Sequence, residues 1–298
     1  MADDLLNAKL LRQLEQLQLL AQRRSKSTGK GERRSRARGQ SVEFADHRNY
    51  SHGDDFRYLD WNLFGRLDRL FLKLYEEERE LPVRIFLDAS ESMTFGEPRK
   101  FDFARQIAAA IGYVALCGFD RVSVIPFPDN EAEAAVRGAL RSVRGRKTSL
   151  PFFRHLHQLT ASGQADLNAS LRRGALESRQ TGLAVVLSDF LDPAGYEEGL
   201  KTLLGRGFQI DLIQVLAPDE LNPATYGDLR LVDSESGLVE EVTFGKFRLK
   251  TYQRMVQNYC QRLREFCQVR GIQYFMAPSD MTLEELLLQR LREAEVWR

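Results

Sequence analysis

The sequence predicts an α/β protein: a doubly wound, mostly parallel sheet, with an N-terminal helix and a small N-terminal appendage of strands and aromatic residues. Two observations carry this reading. From Val83 onward, apolar runs of strand length (VRIFLDAS, RVSVIPF, LAVVLSD, FQIDLIQVLA, IQYFMAP) alternate with amphipathic helical patterns. Strands that are apolar throughout are buried on both faces, and helices between them supply right-handed crossovers to a parallel sheet. The chain has 298 residues, slightly more than one core usually accommodates, so one large domain with an appendage fits best.

Four segments follow in order. Residues 1–22 place Leu6, Leu10, Leu14 and Leu17 on one helical stripe, with Asp3 and Asp4 suited to the first turn, so a docked amphipathic helix is expected from Asp3 to about Gln22. Its expected seat is the aromatic layer of residues 44–75. Residues 23–40 hold eight basic side chains, from Arg23 to Arg38, against Glu32 alone. Almost no apolar residue offsets the entropy of ordering them, so they read as a flexible basic loop. Residues 41–81 bring aromatics back (Phe44, Tyr50, Phe56, Tyr58, Trp61, Phe64, Phe71, Tyr75) among turn signals, the pattern of short strands and turns closed by Pro82. Residues 82–298 carry the alternating pattern. Within them AEAAVRGA is read as a further strand. DLRLVDSESGLVEEVTF is read as a hairpin turning at SESG that adds an antiparallel edge, and Leu283 to Ala294 as a closing helix.

Charge and cysteine content narrow the function classes. With 43 Lys plus Arg against 42 Asp plus Glu, the formal net charge is +1, which removes any whole-chain electrostatic case for nucleic acid or membrane. The basic stripe has no interleaved aromatic on which bases could stack. Three cysteines without CxxC spacing (Cys117, Cys260, Cys267) argue against a disulfide framework or a structural zinc site and for a reducing cytoplasm. No run of about 18 apolar residues suggests a spanning helix. Neither a G-x-x-x-x-G-K-[ST] phosphate loop, nor GxGxxG, nor HExxH, nor a GxSxG elbow occurs, so nucleotide hydrolysis by this chain is not expected.

The chemistry concentrates at the end of the first apolar strand. In open α/β sheets ligands sit beyond the carboxyl ends of the strands. There the chain places Asp88, Ser90 and Ser92, hard oxygen donors on one loop, which suit Mg²⁺ or Mn²⁺ with waters retained. A second acid on a later strand end would hold the far side of the ion, and LAVVLSDF supplies Asp189. Asp54 and Asp55 in the Gly-Asp-Asp turn read as turn and cap chemistry.

Asp88, Ser90 and Ser92 resemble the D-x-S-x-S motif of the metal-ion-dependent adhesion site of von Willebrand factor type A domains, and Asp189 is similar to that family's later aspartate. The resemblance implies metal contact by the serines, water-mediated contact by the aspartates, and a partner's acidic side chain completing the shell. The family's G-G-T-D-L loop corresponds to Gly163, Gln164, Ala165, Asp166 and Leu167, so Ala165 stands where a threonine ligand is expected, with Asp166 or Ser162 as substitutes. The block from Gly31 to Val83 also resembles the bacterial "domain of unknown function fifty-eight" family through Gly31, Ser35, Gly39, Glu43, Phe44, Arg48 to Tyr50, Gly53 to Asp55, Arg57, Asp60 and Trp61. That resemblance implies a type A domain downstream and a MoxR-type AAA+ ATPase partner; many members carry membrane helices ahead of the block.

The expectation is therefore a non-catalytic protein-binding adaptor of a MoxR-type ATPase. It would engage partners through a degenerate adhesion site of Asp88, Ser90, Ser92, Asp189 and Asp166 that holds Mg²⁺ or Mn²⁺ weakly. The alternatives are a metal-dependent hydrolase at the same strand ends, or polyanion binding through residues 23–38.

Overall fold

The computed structural model describes residues 5–17, 42–77, 80–128, 140–178, 180–223, 227–232, 239–244, 246–291 and 296. The chain divides into two compact units, residues 24–80 and the remainder, residues 1–23 with 81–298.

Helix α1 spans Ala8–Leu14 and begins later than the leucine stripe suggested, at the point where the Asn7 side chain caps it by accepting from Leu10 N at 2.7 Å. Its expected seat, the aromatic layer, belongs to the other unit. Leu6, Leu10, Leu14 and Leu17 instead join the large core with residues of α3 (Lys100–Cys117) such as Ala104, Ala108 and Ile111. Glu15 fastens the helix end, accepting from Tyr113 Oη at 2.8 Å and from Arg146 at 2.5 Å. The basic stripe at 23–38 lies outside the described residues.

In the smaller unit, β1 (Val42–Asn49) and β2 (Phe71–Glu77) form an antiparallel pair around a helical turn at Phe56–Tyr58 and helix α2 (Trp61–Leu67). The signature residues build this connection. Arg48 grips Asp54 through two bonds of 2.7 and 2.8 Å, and Asp54 also accepts from Ser51 N. Gly53 takes φ +103°, which only glycine adopts cheaply. Asp55 holds Arg57, and Asp60 caps α2 through Asn62 N and Leu63 N while contacting His47 at 3.0 Å. Asp54 and Asp55 thus do turn work, as expected.

The larger unit is built on a six-stranded sheet of order β10-β7-β6-β3-β4-β5. Its strands are β3 (Pro82–Asp88), β4 (Arg121–Phe127), β5 (Leu140–Arg144), β6 (Leu183–Ser188), β7 (Gln209–Leu216) and β10 (Gln273–Pro278). All pairs are parallel except β4 with β5. The antiparallel edge is therefore β5, not the expected hairpin. That hairpin, β8 (Gly227–Val232) with β9 (Val239–Phe244), is a separate two-stranded sheet whose turn at SESG lies outside the described residues. AEAAVRGA also falls outside them.

Period-two alternation divides the strand side chains between two cores. Val83, Ile85, Leu87, Val185, Leu187, Ile213 and Val215 face the layer of α1, α3 (Lys100–Cys117), α4 (Ser149–Gln158) and the C-terminal Leu286 and Leu287. Phe86, Ala184, Val186, Ile210 and Leu212 face α5 (Leu167–Glu177), α6 (Glu197–Gly205) and α8 (Lys246–Arg270). Helix α3 is buried nearly throughout, and Gly112 lets α4 approach: a Cβ there would lie 2.1 Å from Phe152. The short α7 (Pro218–Leu221) follows β7, and the closing segment is π-helical over Glu285–Arg290. Strand order reverses between β3 and β6, so their carboxyl ends open the crevice where this architecture places ligands.

Candidate strand-end site

The crevice is floored by the last residues of β3 and β6. Asp88 ends β3, and its two carboxylate oxygens are engaged separately. Oδ1 accepts from Ser90 N at 3.0 Å and Ser90 Oγ at 2.6 Å, while Oδ2 accepts from Ser188 Oγ at 2.6 Å. Ser90 Oγ lies 3.0 Å from Ser92 Oγ, and Ser92 Oγ donates to Asp189 Oδ2 at 3.2 Å. The structure thus brings Asp88, Ser90, Ser92 and Asp189, four of the five predicted residues, into one contiguous polar cluster, with each serine hydroxyl donating to its own carboxylate. Burial pushes the Asp88 carboxyl upward, and the neighbouring Asp189 charge adds to that, against the hydrogen bonds from Ser188 and Ser90.

The fifth residue behaves differently. Asp166 caps α5, with Oδ1 accepting from Ala169 N at 2.7 Å, and its side chain is exposed. Its loop does sit beside the Asp88 loop: Ser162 N donates to Ala89 O and Glu91 N to Gly163 O, each at 2.8 Å. On that loop Ala165 brings a methyl group packed on the α5–α8 core in place of a hydroxyl.

On the far side, the backbone after Asp189 is tightly held. Phe190 adopts φ +59°, unusual for a bulky residue, and is fixed by Ser188 Oγ at its N–H and by the Tyr259 hydroxyl at its carbonyl. Gln214 Nε2 donates to Asp189 O at 2.9 Å and is itself held by Tyr274 Oη.

Sequence reasoning missed Lys100. This first residue of α3 is 1% exposed, and its ammonium donates to Asp189 Oδ2 at 2.7 Å and to Glu220 Oε1 at 2.6 Å. Burial by itself favours the neutral amine, but Asp189 and Glu220 outweigh it and hold the pKa above the ordinary lysine value. Glu220, sharing that ammonium, is pushed up by burial despite it, and its Oε2 accepts from Ala217 N at 2.7 Å. A lysine in the first turn of a helix opposes the macrodipole, but its burial and its two acidic partners come from residues 89 and 120 positions away.

Does the donor set suit a divalent ion? The 3.0 Å between the serine hydroxyls matches the edge of an octahedron with metal–oxygen distances of about 2.1 Å. The charge does not suit it, because the acid meant to face the ion is already neutralised by a buried ammonium. An ammonium and a divalent ion held against the same carboxylate repel, and a buried site screens that repulsion weakly. The residues present do not fit Mg²⁺ or Mn²⁺.

Beside the site opens a cleft of about 830 Å³, lined by Leu191, Gln214, Glu220, Tyr252, Met255 and Tyr259 among others. Leu191 and Met255 are exposed on its rim, and Phe95, whose N–H donates to Ser92 O, is exposed on the loop opposite.

Residues 46–261 match the family model described as "Protein of unknown function DUF58". The chain belongs to that family. An uncharacterized protein of Mycobacterium tuberculosis (strain ATCC 25618 / H37Rv) is 28% identical over 243 residues, covering 80% of this chain and 75% of that protein. Among solved structures, the conserved hypothetical protein BatB from Bacteroides thetaiotaomicron is 14% identical over 72% of this chain and 98% of its own, at TM-score 0.44. A von Willebrand factor type A protein from Catenulispora acidiphila is 16% identical over 49% of this chain and 35% of its own, at TM-score 0.34. Among the described residues of this DUF58 protein, no helix is long and apolar enough to cross a membrane.

Proposed function

We propose that this DUF58 protein is a non-catalytic, protein-binding adaptor that works with a MoxR-type AAA+ ATPase in the cytoplasm and meets its partners on the strand-end face. The observation that carries this reading is the combination at that face of a closed polar floor with an apolar rim. The Asp88, Ser90, Ser92, Asp189 and Lys100 groups satisfy one another, which suits a rigid platform better than a site with a base poised to take a proton. Around them Phe95, Leu191 and Met255 present large apolar side chains to solvent, with the cleft between α7 and α8 alongside, the kind of surface that marks protein contact. The signature unit offers a second such surface, since helix α2 exposes Trp61 and Leu67 and buries no residue.

The test mixes the full chain with its MoxR-type ATPase. Size-exclusion chromatography with light scattering should show a complex, and ATP turnover by the ATPase should change on adding the chain. Met255→Ala and Trp61→Ala should each weaken the complex. Two proteins that elute separately in every nucleotide state, with turnover unchanged, overturn the reading.

A further inference from the structure

We propose that the Lys100 ammonium is the resident cation of the strand-end site, covalently tethered where a type A domain would bind a divalent ion, so that this face works without metal. The argument starts from charge. Asp189 and Glu220 come from strand and helix segments far apart in sequence, and both carboxylates converge on one nitrogen, at 2.7 and 2.6 Å. A buried acid and a partly buried one this close need a counter-charge. An ammonium on α3 meets that need permanently, whereas a metal would meet it only at sufficient concentration.

Ligand occupancy leads to the same place. Asp189 Oδ2 accepts from Lys100 and Ser92 together, and Asp189 Oδ1 accepts from Leu191 N at 3.0 Å. Both oxygens of Asp88 are taken by serine hydroxyls. The side that would supply one more oxygen carries the Ala165 methyl. A cation bound to a flexible lysine stem can satisfy two carboxylates and a hydroxyl-lined floor, but it has no vacant coordination position to offer. The partner's contact with this face therefore needs no acidic side chain to complete a metal shell. It rests on the apolar rim and on hydrogen bonds.

Calorimetry and thermal melting of the full chain test this without any partner, so failure here leaves the binding reading standing. The wild type titrated with millimolar Mg²⁺ or Mn²⁺ should give no saturable heat, and its melting temperature should be the same with metal or with EDTA. Lys100→Met removes the charge while keeping the stem's bulk. It should melt lower than the wild type and recover several degrees with millimolar Mn²⁺, a rise that Lys100→Met combined with Asp189→Asn should abolish. A saturable wild-type heat that Asp88→Ala eliminates overturns the proposal, as does a folded Lys100→Met variant whose melting ignores metal. Should Lys100→Met fail to fold, the wild-type titration decides alone: saturable heat lost in Asp88→Ala refutes, and its absence supports.

Discussion

Replacing Asp211 with asparagine isolates the cost of a carboxylate in the middle of a sheet. Asp211 lies on β7, on the strand face shared with Ile213 and Val215, is 3% exposed, and its Oδ1 has no hydrogen-bond partner. Burial pushes its pKa from 3.8 to about 7, against a hydrogen bond from Gln209. Because the folded-state value is raised, this site's contribution to stability is complete below about pH 4 and is lost as the pH rises through about 7. The whole shift corresponds to roughly 4 kcal/mol, and roughly 2 to 3 kcal/mol of it falls between about pH 5 and pH 8. The variant cannot ionise there, but its amide brings its own unmet hydrogen bonds, at a cost of about 1 to 3 kcal/mol that does not depend on pH. Urea unfolding of both proteins at both pH values separates the two effects, since other titrating groups cancel in the difference. The stability of Asp211→Asn relative to the wild type should improve by roughly 2 to 3 kcal/mol from pH 5 to pH 8. A relative stability that is flat across that range would show that Asp211 ionises as in water, and the burial argument would fail.

Three further expectations concern packing and the site. Leu14→Ala, at a fully buried position where α1 meets α3, should cost about 2 to 5 kcal/mol in urea unfolding of the larger unit; no change would mean that α1 is not part of its core. Gly182→Ala would place a Cβ 2.0 Å from the Pro82 carbonyl oxygen, where β3 and β6 begin to pair. It should destabilise by about 1 to 3 kcal/mol and speed amide exchange along both strands, and unchanged exchange would refute the close approach. Ala165→Thr restores the hydroxyl expected of an adhesion site, yet calorimetry should still detect no Mg²⁺ binding while Lys100 remains; saturable heat from this single change would show that the missing oxygen, and not the ammonium, keeps metal away.

What local sequence determines here is whatever depends on neighbours within a few residues. Apolar runs bounded by polar turns become strands because their burial pattern is written in consecutive side chains, as LAVVLS does for β6, buried along its whole length. Asp88, Ser90 and Ser92 are legible as a group because they share one loop, and Asp189 because a strand end is where an open sheet places its ligands. The Arg48–Asp54 and Asp55–Arg57 contacts follow from turn chemistry six residues apart or fewer. Only the tertiary structure could decide the rest. The leucine stripe of α1 announces that it must be covered, but apolar surface is non-directional, and nothing in the stripe distinguishes α3 from an aromatic layer. The edge of the sheet went to β5 because hairpin-like patterning in β8 and β9 specifies their pairing with each other, and not with a sheet. The charge of the site was settled by Lys100 reaching Asp189, 89 positions away, and Glu220, 120 away. A charge's cost and its partner are set by distance and burial in space, and neither is recorded at the residue that carries it.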